Sequence, residues 1–204
     1  KKLVLKLIEI SDLTEDSYHI IVTKDEDTRK AYEAFQIFYY IESKLRPLII
    51  GLDLEFNNQQ IALLQINYEF GDDSFVFITF PPQNNNEFFL EEIIANKNII
   101  KIMHGADSLD IPYLYNQLFE REEIIKAFTS TLYDTRFFCE YYNIIKNKSK
   151  KCKIYHMLYY FKILSKEKFN ELIKNEEKLG PIYKVNFDIS DLSAEKILYA
   201  AHDV

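Results

Sequence analysis

The sequence predicts an α/β fold: a mixed five-stranded sheet, made of a three-strand antiparallel meander plus parallel strands, flanked by helices. Three observations predict it. Leu48-Ile49-Ile50-Gly51-Leu52-Asp53-Leu54-Glu55-Phe56 is an apolar run that reads with the period of two of a β-strand. Two more β-branched and aromatic runs follow it, each reached through a short turn signal, and such short connections join only antiparallel strands. Asn98 to Met103 is a further strand that passes through His104-Gly105-Ala106 into a helical pattern. That is a βα unit, and open α/β sheets place their ligands at its strand end.

In chain order, residues 1–17 mix Leu, Ile and Lys without a period and are expected to be a leader packed on the domain that spans residues 18–204. Tyr18 to Val22 is β-rich. Asp25 to Lys44 reads as a helix with Tyr32, Phe35, Phe38 and Tyr39 near one face, capped by Asp27 or Thr28. Pro47 resets the chain before the carboxylate strand. Asn57-Asn58-Gln59-Gln60 is a turn, Ile61 to Tyr68 a strand, Gly71-Asp72-Asp73 a turn, and Ser74 to Phe80 a strand. Pro81-Pro82 and the Asn84 to Asn86 tract form a loop, and Glu87 to Ala95 reads as a helix.

The helix after His104-Gly105-Ala106 is expected to start near Ser108, because Pro112 fits only a first turn. Asp107 suits a cap, which leaves Asp110 as the better ligand candidate. His104 suits either a packed structural role or a ligand role. Thr129 to Tyr133 is a fifth strand, and Asp134-Thr135 caps a helix over 136–145. Lys146 to Lys153 carries five lysines and no acid; it reads either as a solvated loop or as a contact for a phosphate backbone. Ile154 to Leu164 and Lys166 to Lys178 read as helices, the second ended by Gly180-Pro181. Ser193 caps a last helix over 194–204, which stacks Tyr199 and Asp203 on one face.

With 48% hydrophobic and 28% charged residues in 204, the chain has the balance of a folded domain rather than a disordered one. No apolar run approaches the roughly 20 residues that cross a bilayer, so no membrane partner is expected. Cys139 and Cys152 fit no metal spacing and are expected to be free thiols in a reducing, intracellular compartment. A net charge of -7 argues against a nucleic-acid partner unless bound divalent cations reverse the local sign. The chain opens on Lys1-Lys2 and stops inside a helical pattern. It is therefore expected to be part of a longer protein, with its domain truncated at the C-terminus.

Asp53 and Glu55 share one face of their strand. Two ionised carboxylates in an apolar setting repel one another and are costly to desolvate, so the pair reads as metal ligands. Three pieces then stand in order: Asp53-x-Glu55, His104-Gly105-Ala106 leading to Asp110-Ile111-x-x-Leu114, and Tyr199-x-x-x-Asp203. Together they resemble the three exonuclease motifs of the DEDD superfamily of 3'-5' exonucleases, in the tyrosine branch and the ribonuclease D-like group. Leu52 to Phe56, Tyr133-Asp134-Thr135 and Ile197 to Val204 share that group's texture, and the resemblance covers Tyr18 to Val204. The segment from His104 to Asp110 is one residue longer than the group's usual spacing, which keeps Asp107 open as the ligand in place of Asp110.

The resemblance implies a ribonuclease H-like fold. It also implies two Mg2+ or Mn2+ ions held by Asp53, Glu55, Asp110 and Asp203, with Tyr199 as the phenol that orients the attacking water. The implied reaction is two-metal hydrolysis of phosphodiester bonds from the 3' end of single-stranded nucleic acid, RNA before DNA, releasing nucleoside 5'-monophosphates. Substrate contacts are expected at His104, Tyr113, Lys150 and Lys151. The competing reading is a domain of this fold kept as a binding or assembly module in a larger ribonucleoprotein complex.

Overall fold

A computed structural model describes residues 14–15, 18–22, 44, 46–70, 72–79, 89–119 and 121–204. The helix expected over 25–44, its caps, the loop after Pro81 and most of the leader lie outside the described residues. Among the described residues, seven strands form one sheet: β1 (Thr14–Glu15), β2 (Tyr18–Val22), β3 (Leu48–Asn57), β4 (Gln60–Phe70), β5 (Asp73–Thr79), β6 (Ile99–Met103) and β7 (Leu132–Asp134). Their order across the sheet is β1-β2-β5-β4-β3-β6-β7. The five expected strands are all present, and the sheet is wider than expected because β2 adds to the edge of β5 in parallel and carries β1 with it. β3, β4 and β5 make the antiparallel meander, while β6 and β7 continue in parallel from β3.

The β3-β4 hairpin turns on Asn58 and Gln59, both at positive φ (48° and 66°). That is the backbone of a two-residue turn matched to the twist of the strands it joins. β3 therefore runs through Asn57, the residue at which the turn is expected to start. Among the described residues the α-helices are α1 (Asp110–Gln117), α2 (Glu122–Thr129), α3 (Thr135–Ile145), α4 (Ile154–Tyr160), α5 (Lys166–Leu179) and α6 (Ala194–His202), and a wider helical turn spans Phe89–Ile94 where a helix is expected over 87–95. α4 ends earlier than expected, since Lys162 takes φ 62° and breaks the helical path. α2 has no counterpart among the expected elements.

The period of two in β3 divides the molecule. Leu48, Ile50, Leu52 and Leu54 join Tyr68, Phe75 and Phe77 on one face, under Leu114 of α1 and Ile124 and Phe128 of α2. On the other face, Leu63, Val76 and Ile78 meet Ala200 and Ala201 of α6 together with Phe187 and Ile189. Two alanines with no exposed surface let α6 lie close on the sheet. Gly51 extends that closeness to the end of the helix, because a Cβ there would stand 3.2 Å from Val204 and 3.3 Å from Asn67.

The segment leading into α6 is tied to the far end of β3. The Asn57 amide donates to the Phe187 carbonyl (2.7 Å) and accepts from the Phe187 N–H (2.8 Å). A side chain thus replaces a strand partner, and the path into α6 is fixed before the helix begins. On the core side, Lys101 is fully buried and donates to the Asn96 carbonyl and to Thr131 Oγ1, both at 2.7 Å. Burial pushes its ammonium down to about 8.

The free-thiol expectation is corrected: Cys139 and Cys152 form a disulfide. The chain after α3 folds back on it, and Asn143 Nδ2 donates to the Lys150 carbonyl at 2.9 Å and to Cys152 Sγ at 3.3 Å. A thirteen-residue spacing says nothing about such a return. It depends on Asn147 at φ 47°, which stops α3 and turns the chain.

The Asn57 tie gives a direct prediction. Asn57→Ala leaves both backbone groups of Phe187 without that partner, so the unfolding free energy should fall by about 2 kcal/mol. Urea denaturation measures it. A change within about 0.5 kcal/mol, the range of ordinary surface substitutions, would show that the tie carries no stability.

Candidate active site

Asp53 and Glu55 project from the same face of β3, the face that α6 covers. Their strand neighbours explain the position: Asp53 lies opposite Gln65 of β4, and the register shifts between Glu55 and Phe56, where the strand is irregular. Asp203 follows the last turn of α6 as its C-terminal cap. One carboxylate oxygen from each of Asp53, Glu55 and Asp203 lies within 4.8 Å of the others. The helix reaches that position because Ala200, Ala201 and Gly51 allow a close approach to the sheet.

Asp110 opens α1 and is buried, whereas Asp107 is exposed. Asp107 does not cap the helix: the cap position is Leu109, with no side-chain bond. The correction follows from the turn. Gly105 takes φ 73°, and Asp134 holds the turn from the neighbouring strand end. One Asp134 oxygen accepts from the N–H of Gly105 (2.9 Å) and the other from that of Ala106 (2.8 Å). The same carboxylate caps α3 by accepting from the N–H of Arg136 at 2.8 Å. Three backbone donors on one buried acid fix the direction in which α1 sets out. Asp110 then stands near enough to Asp53 and Glu55 to raise both of their pKa values, though it is not one of the three whose oxygens lie within 4.8 Å.

The electrostatics of this group are one-sided. Burial raises the Asp53 carboxyl well above its ordinary range, the charges of Glu55, Asp203 and Asp110 raise it further, and a backbone hydrogen bond at Leu54 opposes them. Glu55 is raised well above its range by burial and then by Asp203 and Asp110. Burial, with a smaller contribution from Asp134, pushes Asp110 up to about 7. Asp203 is also raised by burial, against two hydrogen bonds that favour its charged form, from Tyr155 and Tyr199. Both phenols are themselves raised, first by burial and then by Asp203, and so keep their protons.

An all-oxygen set of this kind suits a hard divalent cation such as Mg2+ or Mn2+. Such a cation would offset the burial and the mutual repulsion that raise these carboxyls. The floor of the site agrees: Gln65 is fully buried opposite Asp53, and neither amide atom has a partner among the described residues. Buried amides of this sort are normally satisfied by water or a ligand.

The remaining candidates stand around this group. His104 is half buried, with Nδ1 2.8 Å from Thr135 Oγ1. Burial lowers its pKa. Tyr113 packs half buried on Phe56, ring centroids 4.9 Å apart. Lys150 and Lys151 are exposed on the loop closed by the disulfide, Lys150 with its ammonium 5.3 Å from the Tyr160 ring. Tyr155 carries no signal in the sequence, where it is one of several aromatics in the run from Ile154 to Leu164. Only its place in the first turn of a helix whose inner face is buried marks it.

Comparisons with known proteins bear on this geometry. A family model described as 3'-5' exonuclease matches residues 19–204. The uncharacterized protein L533 of Acanthamoeba polyphaga mimivirus is 34% identical over 205 residues, covering 92% of this chain. This chain spans only 40% of that relative's length. Among solved structures, the Aedes aegypti Nibbler EXO domain is similar at 14% identity and a TM-score of 0.46, covering 96% of this chain and 85% of its own. The EXD2 exonuclease domain soaked in Mn and GMP is similar at 17% identity and a TM-score of 0.42, covering 90% and 83%.

The raised carboxylates make stability depend on pH in a defined sense. Between the ordinary carboxylate range near 4 and the folded values, reaching about 7 at Asp110, the native state binds more protons than the unfolded chain. The stability these groups contribute is therefore full below that window and lost as pH rises through it. In the presence of a chelator, the melting temperature should be lower at pH 8 than at pH 5.5, and millimolar Mn2+ should remove most of the drop. Thermal scans across pH with and without Mn2+ test this. The same slope in both conditions would mean that no cation enters the group.

Proposed function

Because the chain belongs to the 3'-5' exonuclease family, we propose that this domain removes nucleoside 5'-monophosphates from the 3' end of single-stranded nucleic acid. It does so with two Mg2+ or Mn2+ ions held by Asp53, Glu55, Asp110 and Asp203. The observation that carries the proposal is the convergence of Asp53, Glu55 and Asp203 within 4.8 Å from a strand and a helix remote in sequence. Acids that raise one another's pKa have no stabilising reason to meet, so their gathering points to a ligand of opposite charge. RNA is preferred to DNA in this reading on the strength of the ribonuclease D-like motifs.

Bound divalent ions supply Lewis-acid stabilisation of the phosphate and a lowered pKa for the attacking water. The chain's own residues do the positioning. Asp53 and Glu55, on one strand, set the separation between their oxygens, and Asp203 closes the third side. Tyr199, kept protonated by burial and by Asp203, orients the water through its hydroxyl and does not act as a base. Lys150 and Lys151 sit on the loop that leads into α4, whose first turn reaches Asp203 through Tyr155. In this reading they attract the phosphate backbone towards an otherwise acidic surface. Tyr113 offers the part of its ring left open by Phe56 to a terminal base.

Two experiments test this function. Asp53→Asn should cut Mg2+-dependent shortening of a 5'-labelled RNA by about a thousandfold, the rate equivalent of several kcal/mol of transition-state stabilisation. The variant should fold, since it removes a repelling charge. Shortening at the wild-type rate would sink the assignment. Lys150→Glu with Lys151→Glu should raise KM by about tenfold at low salt and flatten the salt dependence of KM, with kcat little changed. An unchanged salt slope would exclude the loop from the substrate path.

A further inference from the structure

Asp203 is the hardest of the carboxylates to hold in place. It lies just past the last turn of α6, where the helix dipole disfavours an anion, and the charge of Glu176 adds to the cost of ionising it. Its terminal torsion is soft, so a carboxylate there swings freely unless something outside the helix stops it. Tyr199 does not stop it alone. It belongs to the same helix, one turn earlier, and moves with it.

The outside partner is Tyr155. It comes from the first turn of α4, is 5% exposed, and donates its hydroxyl to Asp203 Oδ1 at 2.5 Å. α4 is itself anchored on the approach side. Cys152 is tied to α3 through the disulfide, and Lys153, the next residue, is the cap residue of α4. A bond from this fixed element to one oxygen of Asp203 sets the carboxylate plane and leaves its remaining acceptor positions for the side where Asp53 and Glu55 stand.

We infer that Tyr155 is a positioning residue for the divalent ion: by holding Asp203 through Oδ1 from a separate helix, it presets the third ligand before the ion arrives. The inference rests on the exonuclease reading, and it assigns Tyr155 a role distinct from that of Tyr199. Groups that orient metal ligands through a hydrogen bond typically change affinity by about 10-fold to 100-fold when removed.

The test is Tyr155→Phe, which keeps the ring in its buried slot and deletes only the hydroxyl. Mn2+ binding is followed by the EPR signal of the free ion, without nucleic acid, on the wild type and the variant. RNA shortening is then measured against Mn2+ concentration. The expected result is an Mn2+ dissociation constant raised about tenfold and a turnover that returns towards the wild-type value at saturating Mn2+. Equal Mn2+ affinity in the two proteins overturns the inference while leaving the exonuclease reading intact. Equal affinity together with a turnover that saturating Mn2+ does not rescue overturns it in favour of a reacting role for Tyr155. A wild type that binds no Mn2+ at millimolar concentration overturns the exonuclease reading, and this inference with it.

Discussion

Four carboxylates that repel one another, in a place where water screens them poorly, are the constraint around which this molecule is arranged. Nothing in the hydrophobic core requires them. The core on one face of the sheet, from Leu48 to Phe128, is complete without any of the four, and α6 could pack its alanines on Leu63 and Val76 with a neutral residue at position 203. Bringing acids together works against folding, so the structure must supply the positions from backbone devices that do not depend on attraction between the side chains. Each acid has one. Asp53 and Glu55 take their common face from the strand period. Asp110 takes its place from the positive-φ Gly105 turn and the Asp134 clamp. Asp203 takes its place from Gly51, which lets the end of α6 settle against β3, and from the Asn57 tie that aims the chain into α6.

These devices also explain how far the sequence could be read. The alternation from Leu48 to Phe56 is a local property, set by strand geometry, and it locates both the core face and the acid face of β3 correctly. The Gly-Ala turn after β6 and the pairing of Tyr199 with Asp203 are local in the same sense. The choice between Asp107 and Asp110 is not. Spacing alone permits either acid, and what separates them is where α1 starts, which is decided by a carboxylate on another strand accepting from Gly105 and Ala106. Local pattern therefore places the acids on their elements and leaves the start of α1 to tertiary contacts.

The rest of the site was illegible for a related reason. Tyr155 lies in a run with Tyr159, Tyr160 and Phe161, and aromatic residues at helical spacing describe a packed face before anything else. The disulfide is a stronger case. Two cysteines without a motif and thirteen apart carry no pairing information, because the closure depends on where α3 ends. Once it is closed, the lysine-bearing loop has two fixed ends, one on α3 and one at the start of α4. That fixes the ends of a stretch of exposed charges which composition alone reads either as a solvated loop or as a contact for a phosphate backbone.

These parts form a single mechanical path. The disulfide holds the start of α4, α4 presents Tyr155, and Tyr155 holds Asp203 from a direction that α6 cannot supply. Tyr199, on α6 itself, faces Asp203 together with the charges of Glu55 and Asp53. Under the proposed function, the two phenols divide the work that one would leave undone. A hydroxyl committed to bracing a ligand has a fixed orientation and little freedom to follow a reacting water, whereas a hydroxyl that both braces and orients must release one task to perform the other. Bracing from a second helix removes that conflict, and it places the control of the last carboxylate in a segment that the acidic motifs themselves do not contain.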